Sequence, residues 1–416
     1  MSLAASLPEL DRGLLKRDLH RAERLRRWKA IALVAPLFLF VVFTFIVPIA
    51  DMLRRSVYDS ELAAAWPQAA VALRQWDGGG VPDEALFAAV AADMKSSYEA
   101  RTLASVARRI NYALRNGRSL VMSTGRSVAG LEQAPESWKA AFLESDPAWG
   151  KAETWAVVQR AAGPYSDFFL LSALDLQHDS EGDIVAAPSE QSIYLRVLGR
   201  TFWISTLVTA LCLLFGFPVA YLIAHSPPRR SNLLMILVLL PFWTSLLVRS
   251  AAWIVLLQDQ GIVNDLLRFF GFTDEPIRMI FNRTGVVVAM VHVLLPFMIL
   301  PMVATMKTIP PSYMRAALSL GAPPAVAFLK VYLPQTLPGV SAGTLLVFIM
   351  ALGYYVTPAL VGGANDQMLA YFIAFYTTSS VNWGLAAALG VLLLTVTGVL
   401  YAVYSRLVGM GKVSLA

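Results

Sequence analysis

Few residues in this sequence have the side-chain chemistry of a catalytic or metal site, and their spacing fits no such site. The four histidines (His20, His178, His225 and His292) are scattered, and the single cysteine, Cys212, lies in an apolar run. The sequence has no Walker A motif, no HExxH zinc motif and no CxxC pair. We therefore expect no catalytic residue, no cofactor and no bound metal, and the chain is not expected to be an enzyme.

Acidic residues cluster around a glycine at Asp175, Asp179, Glu181 and Asp183. Carboxylates this close together suit a calcium ion, but their spacing does not match the EF-hand pattern. The alternative is a solvated acidic loop, and the spacing favours it.

The elements that position these residues belong to a membrane protein. Of the 416 residues, 57% are hydrophobic and 15% are charged, against roughly 45–50% and about 25% in soluble domains. The apolar residues form blocks of roughly 20–25, long enough to cross a ~30 Å hydrocarbon core. We predict an all-α membrane protein with six transmembrane helices, at Ile31–Ala50, Thr201–Ala224, Leu233–Leu257, Gly285–Thr305, Gly339–Leu360 and Leu385–Val408.

Lys and Arg in the short loops predict the orientation, because cytoplasmic loops carry an excess of them. They concentrate in the tail 1–30, after the second span at Arg229 and Arg230, and after the fourth span. Both this tail and the C-terminal tail 409–416 are therefore predicted to be cytoplasmic. The helix 31–50 is interpreted as retained rather than as a signal peptide, because no cleavage motif follows it. No basic patch is interleaved with aromatic residues, so no nucleic-acid binding is expected.

The segment 51–198 has the composition of a soluble domain inserted between the first two spans. Its acidic residues outnumber its basic ones, whereas the whole chain has a net charge of +6. Long domains are exported largely regardless of charge, so the orientation places this insert outside the cytoplasm. Apolar residues at helical spacing, as in Pro82–Ser97 and Ser97–Leu114, predict that it is mostly helical.

The cytoplasmic loop 307–337 has the pattern of two short helices joined by a tight turn. Ser312 follows two prolines and suits the N-cap of the first helix, which Gly321 would end. Pro323 or Pro324 suits the first turn of the second helix, and Pro334 would limit its end. Such a compact pair of helices between two spans could transmit a rigid-body displacement from a partner protein to the membrane helices.

The run Arg315-Ala316-Ala317, followed by Gly321 and by Val331-x-Leu333-Pro334, resembles the EAA loop of ABC importer permeases. The resemblance implies that Arg315, Ala316, Ala317, Gly321, Leu333 and Pro334 couple the chain to an ATPase subunit. One position departs from the family pattern, because Arg315 stands where the signature glutamate is expected. Arg315 has no carboxylate, so it cannot form the salt bridge that a glutamate would form at this position.

The resemblance extends over most of 200–405 and favours the polyamine (spermidine/putrescine) type. The matching segments are Gly216–Tyr221, Pro241–Trp253, Leu295–Pro301 and Val356–Gly363. It implies a permease core at 199–408 in the inner membrane, working with an ABC ATPase subunit, a second permease subunit and a periplasmic solute-binding protein. The second permease would be a homologous chain or a copy of this one. Alternating access driven by the ATPase would import a small organic cation.

Aromatic side chains at Phe242, Trp243, Tyr354 and Tyr355 are candidates for lining a translocation path, since aromatic faces attract organic cations. The alternative for each is packing or anchoring at the membrane interface. For Arg249, snorkelling towards the interface is the expected behaviour.

Ionisable side chains are scarce in the spans. His292 lies in the fourth span, where it is either functional or a neutral residue bonded to a neighbouring helix. The near absence of carboxylates is unfavourable for the passage of a polycation. Two alternatives therefore stay open: the same machine importing an amino-acid derivative, thiamine, iron or an oxyanion, and, more remotely, a membrane-anchored sensor or enzyme.

Overall fold

The structure is a computed structural model that describes residues 9–179, 182–190 and 192–410. The chain divides into two units, one up to Arg54 and one from Arg55 onwards. The first unit is a long helix comprising α1 (Glu9–Val41), a π-helical turn (Val42–Ile46) and α2 (Val47–Arg55). The stretch from His20 to Arg55 is apolar and long enough to cross a membrane, and it contains the predicted first span.

The second unit begins with a small helical domain that corresponds to the predicted insert. A two-stranded antiparallel sheet pairs Leu176 with Ala186 and His178 with Ile184. The sequence analysis did not predict this hairpin. The elements are α3 (Glu61–Ala65), α4 (Pro67–Gln75), α5 (Glu84–Glu99), α6 (Leu103–Ala113), α7 (Gly117–Ala129), α8 (Trp138–Ser145), a 3-10 turn (Pro147–Gly150), α9 (Ala152–Ala161), α10 (Phe168–Ala173), β1 (Leu176–His178) and β2 (Ile184–Ala186).

Aromatic rings form the centre of this domain. Trp149 and Trp155 are fully buried with Phe87 and Phe142, at centroid distances of 4.7–5.4 Å. Such edge-to-face pairs add about 0.5–1.5 kcal/mol each beyond their buried area. The domain therefore has a hydrophobic core of its own, separate from that of the apolar helices that follow.

The remaining helices include the other predicted spans. They are α11 (Tyr194–His225), α12 (Pro228–Leu239), a 3-10 turn (Leu240–Trp243), α13 (Leu246–Leu256), α14 (Ile262–Phe269), α15 (Arg283–Thr308), α16 (Pro311–Ser319), α17 (Pro324–Ala327), a π-helical turn (Phe328–Tyr332), α18 (Leu333–Leu352), α19 (Val356–Val361), a 3-10 turn (Ala364–Asp366), α20 (Leu369–Thr378) and α21 (Trp383–Met410). Among the described residues, five helices are long and apolar enough to span a membrane, or six if one bent pair counts as a span.

Helices α11, α15 and α18 pack around a shared core. Glycines allow the close approach, since a Cβ on Gly339 would lie 2.6 Å from the Thr305 hydroxyl and one on Gly343 would lie 2.9 Å from the Met298 carbonyl. The two glycines are four residues apart, so they lie on one side of α18. Small residues at this spacing are typical of packed membrane helices.

Two predicted spans differ from the structure. The third, Leu233–Leu257, is not continuous: α12 with its 3-10 turn and α13 meet at an angle of 97°. The fifth, Gly339–Leu360, ends too late in the prediction, since α18 stops at Leu352 and the short α19 follows. Hydropathy counts apolar residues whatever their backbone, so it did not detect either break.

The insert is joined firmly to the apolar helices. Both carboxylate oxygens of Asp175 accept hydrogen bonds at the start of α11, from the amides of Tyr194 (2.9 Å) and Leu195 (2.8 Å). Phe169 packs against the start of α21, where a Cβ on Gly384 would overlap its ring. The interpretation of Asp175 as part of a solvated acidic loop is therefore wrong, because this residue is a buried helix cap.

No group of described residues could hold a metal ion. Glu181, the third acid of the predicted cluster, lies outside the described residues, as does 411–416 of the predicted C-terminal tail.

Candidate coupling segment and translocation site

The loop 307–337 begins with the short helix that the sequence predicts. Helix α16 starts at Pro311, one residue before the predicted N-cap Ser312, and its N-cap position is Pro310. Proline fits the first helical position, here Pro311, because it lacks only an N–H that the first helical turn leaves unpaired. The predicted N-cap is therefore wrong by two residues, whereas the helix itself is where we expected it.

The turn that follows α16 requires a glycine. Gly321 has a φ of +86°, a conformation that costs other L-residues roughly 1–2 kcal/mol. Its amide donates to the Leu318 carbonyl (3.0 Å) and the amide of Ala322 donates to the Ala317 carbonyl (3.1 Å). This is the hydrogen-bond pattern of a Schellman C-cap, so the predicted stop at Gly321 is present in the structure.

The second predicted helix does not end at Pro334. Helix α17 continues through the π-helical turn Phe328–Tyr332 directly into α18, where Pro334 occupies the first turn. Because the helix is continuous, Pro334 lies in its interior and cannot donate to the carbonyl four residues earlier, and the π-helical turn ends just before it, at Tyr332. The prediction of a helix end here is therefore wrong, and a rigid helical connection leads from the turn at Gly321 to a membrane span.

The predicted coupling residues differ in exposure. Arg315, Ala316, Gly321 and Pro334 are exposed, and Ala317 and Leu333 are half-buried. Apolar side chains beside them are also open, with Leu320 89% and Tyr313 50% exposed. The Arg315 guanidinium has no carboxylate partner among the described residues. This knob, 311–322, thus presents an uncovered surface of mixed apolar and basic character.

Five aromatic residues that the sequence analysis missed connect this segment to the end of α11. Tyr332 is buried, stacks on Phe328 at 5.5 Å, and meets the edge of Tyr221 at 5.5 Å. Tyr221 also stacks on His225 at 4.1 Å, and Phe217 meets Phe328 at 6.3 Å. The available signal was a pair of aromatic residues four positions apart in each segment, which places both on one helical side.

The four candidate path residues lie at the two interruptions of the apolar helices. Phe242 and Trp243 are in the 3-10 turn before α13, and Tyr354 and Tyr355 lie between α18 and α19. Trp243 is 76% exposed, while the Phe242 ring lies 5.0 Å from that of Phe297. The structure does not place the four rings in mutual contact.

The two interruptions are nevertheless neighbours. The hydroxyls of Ser250 in α13 and Thr357 in α19 lie 3.0 Å apart and are both buried. Broken helices that expose backbone groups are the usual sites of solute binding in membrane transporters. This region of the apolar helices is therefore the best candidate for a translocation site.

Arg249 does not snorkel as expected. It is only 9% exposed, and its guanidinium donates to the carbonyls of Pro241 and Thr244, the latter at 2.9 Å. These two carbonyls belong to the bend between α12 and α13. Arg249 therefore stabilises the bend, which explains why a charged side chain is retained among apolar helices.

His292 accepts a hydrogen bond from a neighbouring helix. The indole Nε1 of Trp253 lies 3.2 Å from its Nδ1, and an indole N–H can only donate. Nδ1 is therefore unprotonated and the ring is neutral. This geometry agrees with the second of the two interpretations of His292, a neutral residue bonded to a neighbouring helix.

Comparison with known proteins identifies relatives of the apolar helices. Residues 213–409 match the family model "Binding-protein-dependent transport system inner membrane component". The spermidine/putrescine transport system permease protein PotB of Escherichia coli is 32% identical over 214 residues, covering 51% of this chain and 78% of that protein. PotB of Haemophilus influenzae is 35% identical over 214 residues, covering 51% of this chain and 75% of that protein.

Solved structures of ABC transporters are similar at low identity. One of them is the crystal structure of a bacterial ABC transporter involved in the import of the acidic polysaccharide alginate. The match covers 51% of this chain and 78% of that chain at 18% identity, with a TM-score of 0.40.

Proposed function

Because this chain belongs to the family of inner-membrane permease components of binding-protein-dependent ABC transporters, we propose that it forms the translocation pathway of a spermidine/putrescine importer. In this proposal a separate ABC ATPase subunit hydrolyses ATP and drives alternating access. A second permease subunit completes the pathway, and a periplasmic solute-binding protein delivers the solute.

The observation that supports ATPase coupling best is the construction of the knob. Its surface is uncovered at Leu320 and Tyr313, yet its base is fixed to α11 by the edge-to-face contact of the Tyr221 and Tyr332 rings. A partner that moves this surface would move the ends of α11 and α18 together, because helix, turn and rings form a continuous packed connection. A flexible loop would absorb the same displacement.

The insert and the knob lie at opposite ends of α11. The insert caps its first residues through Asp175, and the aromatic cluster holds its last turns at Tyr221 and His225. With 32 residues, α11 is about 48 Å long at 1.5 Å per residue, more than a ~30 Å hydrocarbon core. We therefore propose that the insert and the knob lie on opposite sides of the membrane. The lysines and arginines of the short loops support a periplasmic insert and a cytoplasmic knob, and the same rule supports cytoplasmic chain termini.

The polyamine assignment rests on the PotB relatives, which are named for spermidine and putrescine. Aromatic faces such as Trp243 and Tyr355, both exposed, would attract an organic cation without a carboxylate. The Arg249 guanidinium donates hydrogen bonds to backbone carbonyls of the bend, so these donor groups point into the protein.

Site-specific crosslinking tests this arrangement. Cys212 is the single cysteine of the sequence and is buried. Replacing it with alanine gives a cysteine-free background, on which single cysteines can be introduced and studied in the complex purified from its host membrane. Arg315→Cys should crosslink to the ATPase subunit, whereas the matched control Glu132→Cys, exposed in the insert, should not. Crosslinking from position 132 and none from position 315 would contradict both the coupling role and the orientation.

A further inference from the structure

The short helix α14 presents an apolar stripe that no described part of the chain covers. At about 100° per residue, positions 262, 266, 269 and 270 fall on one side of this helix. The side chains there are 58% (Ile262), 51% (Leu266), 83% (Phe269) and 67% (Phe270) exposed. Phe272, just beyond the helix, is 73% exposed.

The other two sides of α14 are occupied. Val263 and Leu267 pack on an apolar cluster that includes Ala289 of α15. Asn264 is fully buried, and its amide group donates to the carbonyls of Gln258 and Ile277 at 3.0 Å each and accepts from the Ile277 amide at 2.9 Å. These contacts fix the rotation of α14 about its axis.

The third side is polar and electrically balanced. Arg268 and Asp265 form an ion pair at 2.6 Å. The helix thus has a packed side, a charged side and an uncovered apolar side. Such a distribution is typical of helices that lie in the plane of a membrane interface.

The position of α14 along the spans points to the same occupant. Five residues separate its start from the end of α13, and α15 follows it. The 26 residues of α15 are about 39 Å long, longer than a ~30 Å hydrocarbon core. Its first residue, Arg283, is half exposed and pairs with Asp366, so the first turns are the end that emerges from the membrane. Val263 and Leu267 of α14 pack on the apolar cluster that contains Ala289, a residue in the second of those turns, so α14 lies at the level of the lipid headgroups.

We propose that α14 is an interfacial helix whose apolar stripe inserts into the boundary between lipid headgroups and acyl chains. The bound partner is the lipid surface itself. Because Asn264 ties the helix to Gln258 and Ile277, this anchor sets the depth of the end of α13 and of the segment leading into α15. The inference goes beyond the proposed transport function and does not depend on which solute is carried.

Nitroxide labels measure this depth in the assembled complex. Single cysteines at Leu266→Cys and Phe269→Cys, on the Cys212→Ala background, would be labelled in lipid nanodiscs that contain the full complex. Arg268→Cys is the matched control, because it lies on the same helix about 145° from the centre of the stripe. Molecular oxygen reports acyl-chain exposure, and a water-soluble nickel chelate reports exposure to water.

The proposal predicts that labels at 266 and 269 are more accessible to oxygen and less accessible to nickel than the label at 268. Equal nickel accessibility at 268 and 269 would overturn it, because the stripe would then face water. Protection of 266 and 269 from both reagents would also overturn it, since a protein subunit would then cover the stripe. The result is independent of ATP hydrolysis and solute, so it can succeed where the transport proposal fails.

Discussion

Replacing Gly321 tests whether the turn after α16 transmits force. An added Cβ at this position would meet no heavy atom within 4 Å, so the first side-chain atom causes no clash. The penalty comes from the backbone, because φ is +86° and L-residues lose roughly 1–2 kcal/mol in this conformation. One or two kcal/mol correspond to a roughly 5–30-fold shift between the native turn and distorted ones.

The variant Gly321→Val should therefore assemble with the ATPase subunit but respond poorly to substrate. The assay compares basal ATP hydrolysis with hydrolysis stimulated by the loaded binding protein, in the same reconstituted complex. We expect basal hydrolysis and co-purification to persist and stimulation to fall. Gly321→Asn is the matched control, since asparagine tolerates a positive φ, and it should retain most of the stimulation.

Full stimulation and normal uptake by Gly321→Val would refute this reasoning. Equal losses in the Val and Asn variants would also contradict it, because a conformational penalty must distinguish the two side chains. Loss of the ATPase subunit only in the Val variant would move the role of the turn from transmission to assembly.

Four further predictions follow from the packing. Gly384→Ala should detach the insert from α21 and lower its resistance to proteolysis, because the new Cβ overlaps the Phe169 ring. The double variant with Phe169→Ala should recover that resistance, and unchanged resistance in the single variant would contradict the contact. Gly343→Leu should lower the yield of folded protein, because its side chain meets the Met298 backbone and overpacking costs typically about 1–3 kcal/mol; normal thermal stability in detergent would count against it. Burial raises the pKa of the Asp93 carboxyl group, so folding favours its neutral form. The stability that this group contributes to the folded state is therefore fully present below the pKa of Asp93 in the unfolded chain, and it is lost as pH rises through the pKa in the folded chain. Asp93→Asn should therefore gain melting temperature relative to wild type as pH rises from 4 to 7, and a constant difference would refute the assignment. Deleting the insert up to Asp175 should leave ATPase co-purification intact, because the insert and the knob lie at opposite ends of α11; loss of the ATPase from folded protein would contradict the topology.

Most of the helical architecture was predictable, because hydropathy detects segments apolar and long enough to span a membrane, and helical spacing of apolar residues detects the helices of the insert. Six apolar segments, the helical insert and the helix–turn–helix at Gly321 all follow from residue types. The ends of the helices were predicted less accurately from the sequence. The continuation through Pro334 was missed because a proline usually ends or kinks a helix, and nothing in the sequence marks the π-helical turn that precedes it.

Contacts between distant segments were beyond prediction. Nothing near Asp175 indicates that its carboxylate caps a helix that starts 19 residues later, and nothing near Arg249 indicates that its guanidinium binds the carbonyls of a bend. The aromatic cluster at Tyr221 and Tyr332 joins residues more than a hundred positions apart. Such pairings depend on how the helices pack, which a single sequence does not encode locally.

The most direct test of the central claim is stimulated ATP hydrolysis. The chain would be purified with its co-purifying ATPase subunit, reconstituted in lipid and combined with the cognate binding protein and a panel of solutes that includes putrescine and spermidine. We predict that only the polyamines stimulate hydrolysis. Stimulation by a different solute alone would contradict the substrate assignment, and failure of any ATPase subunit to co-purify would contradict the role of the knob.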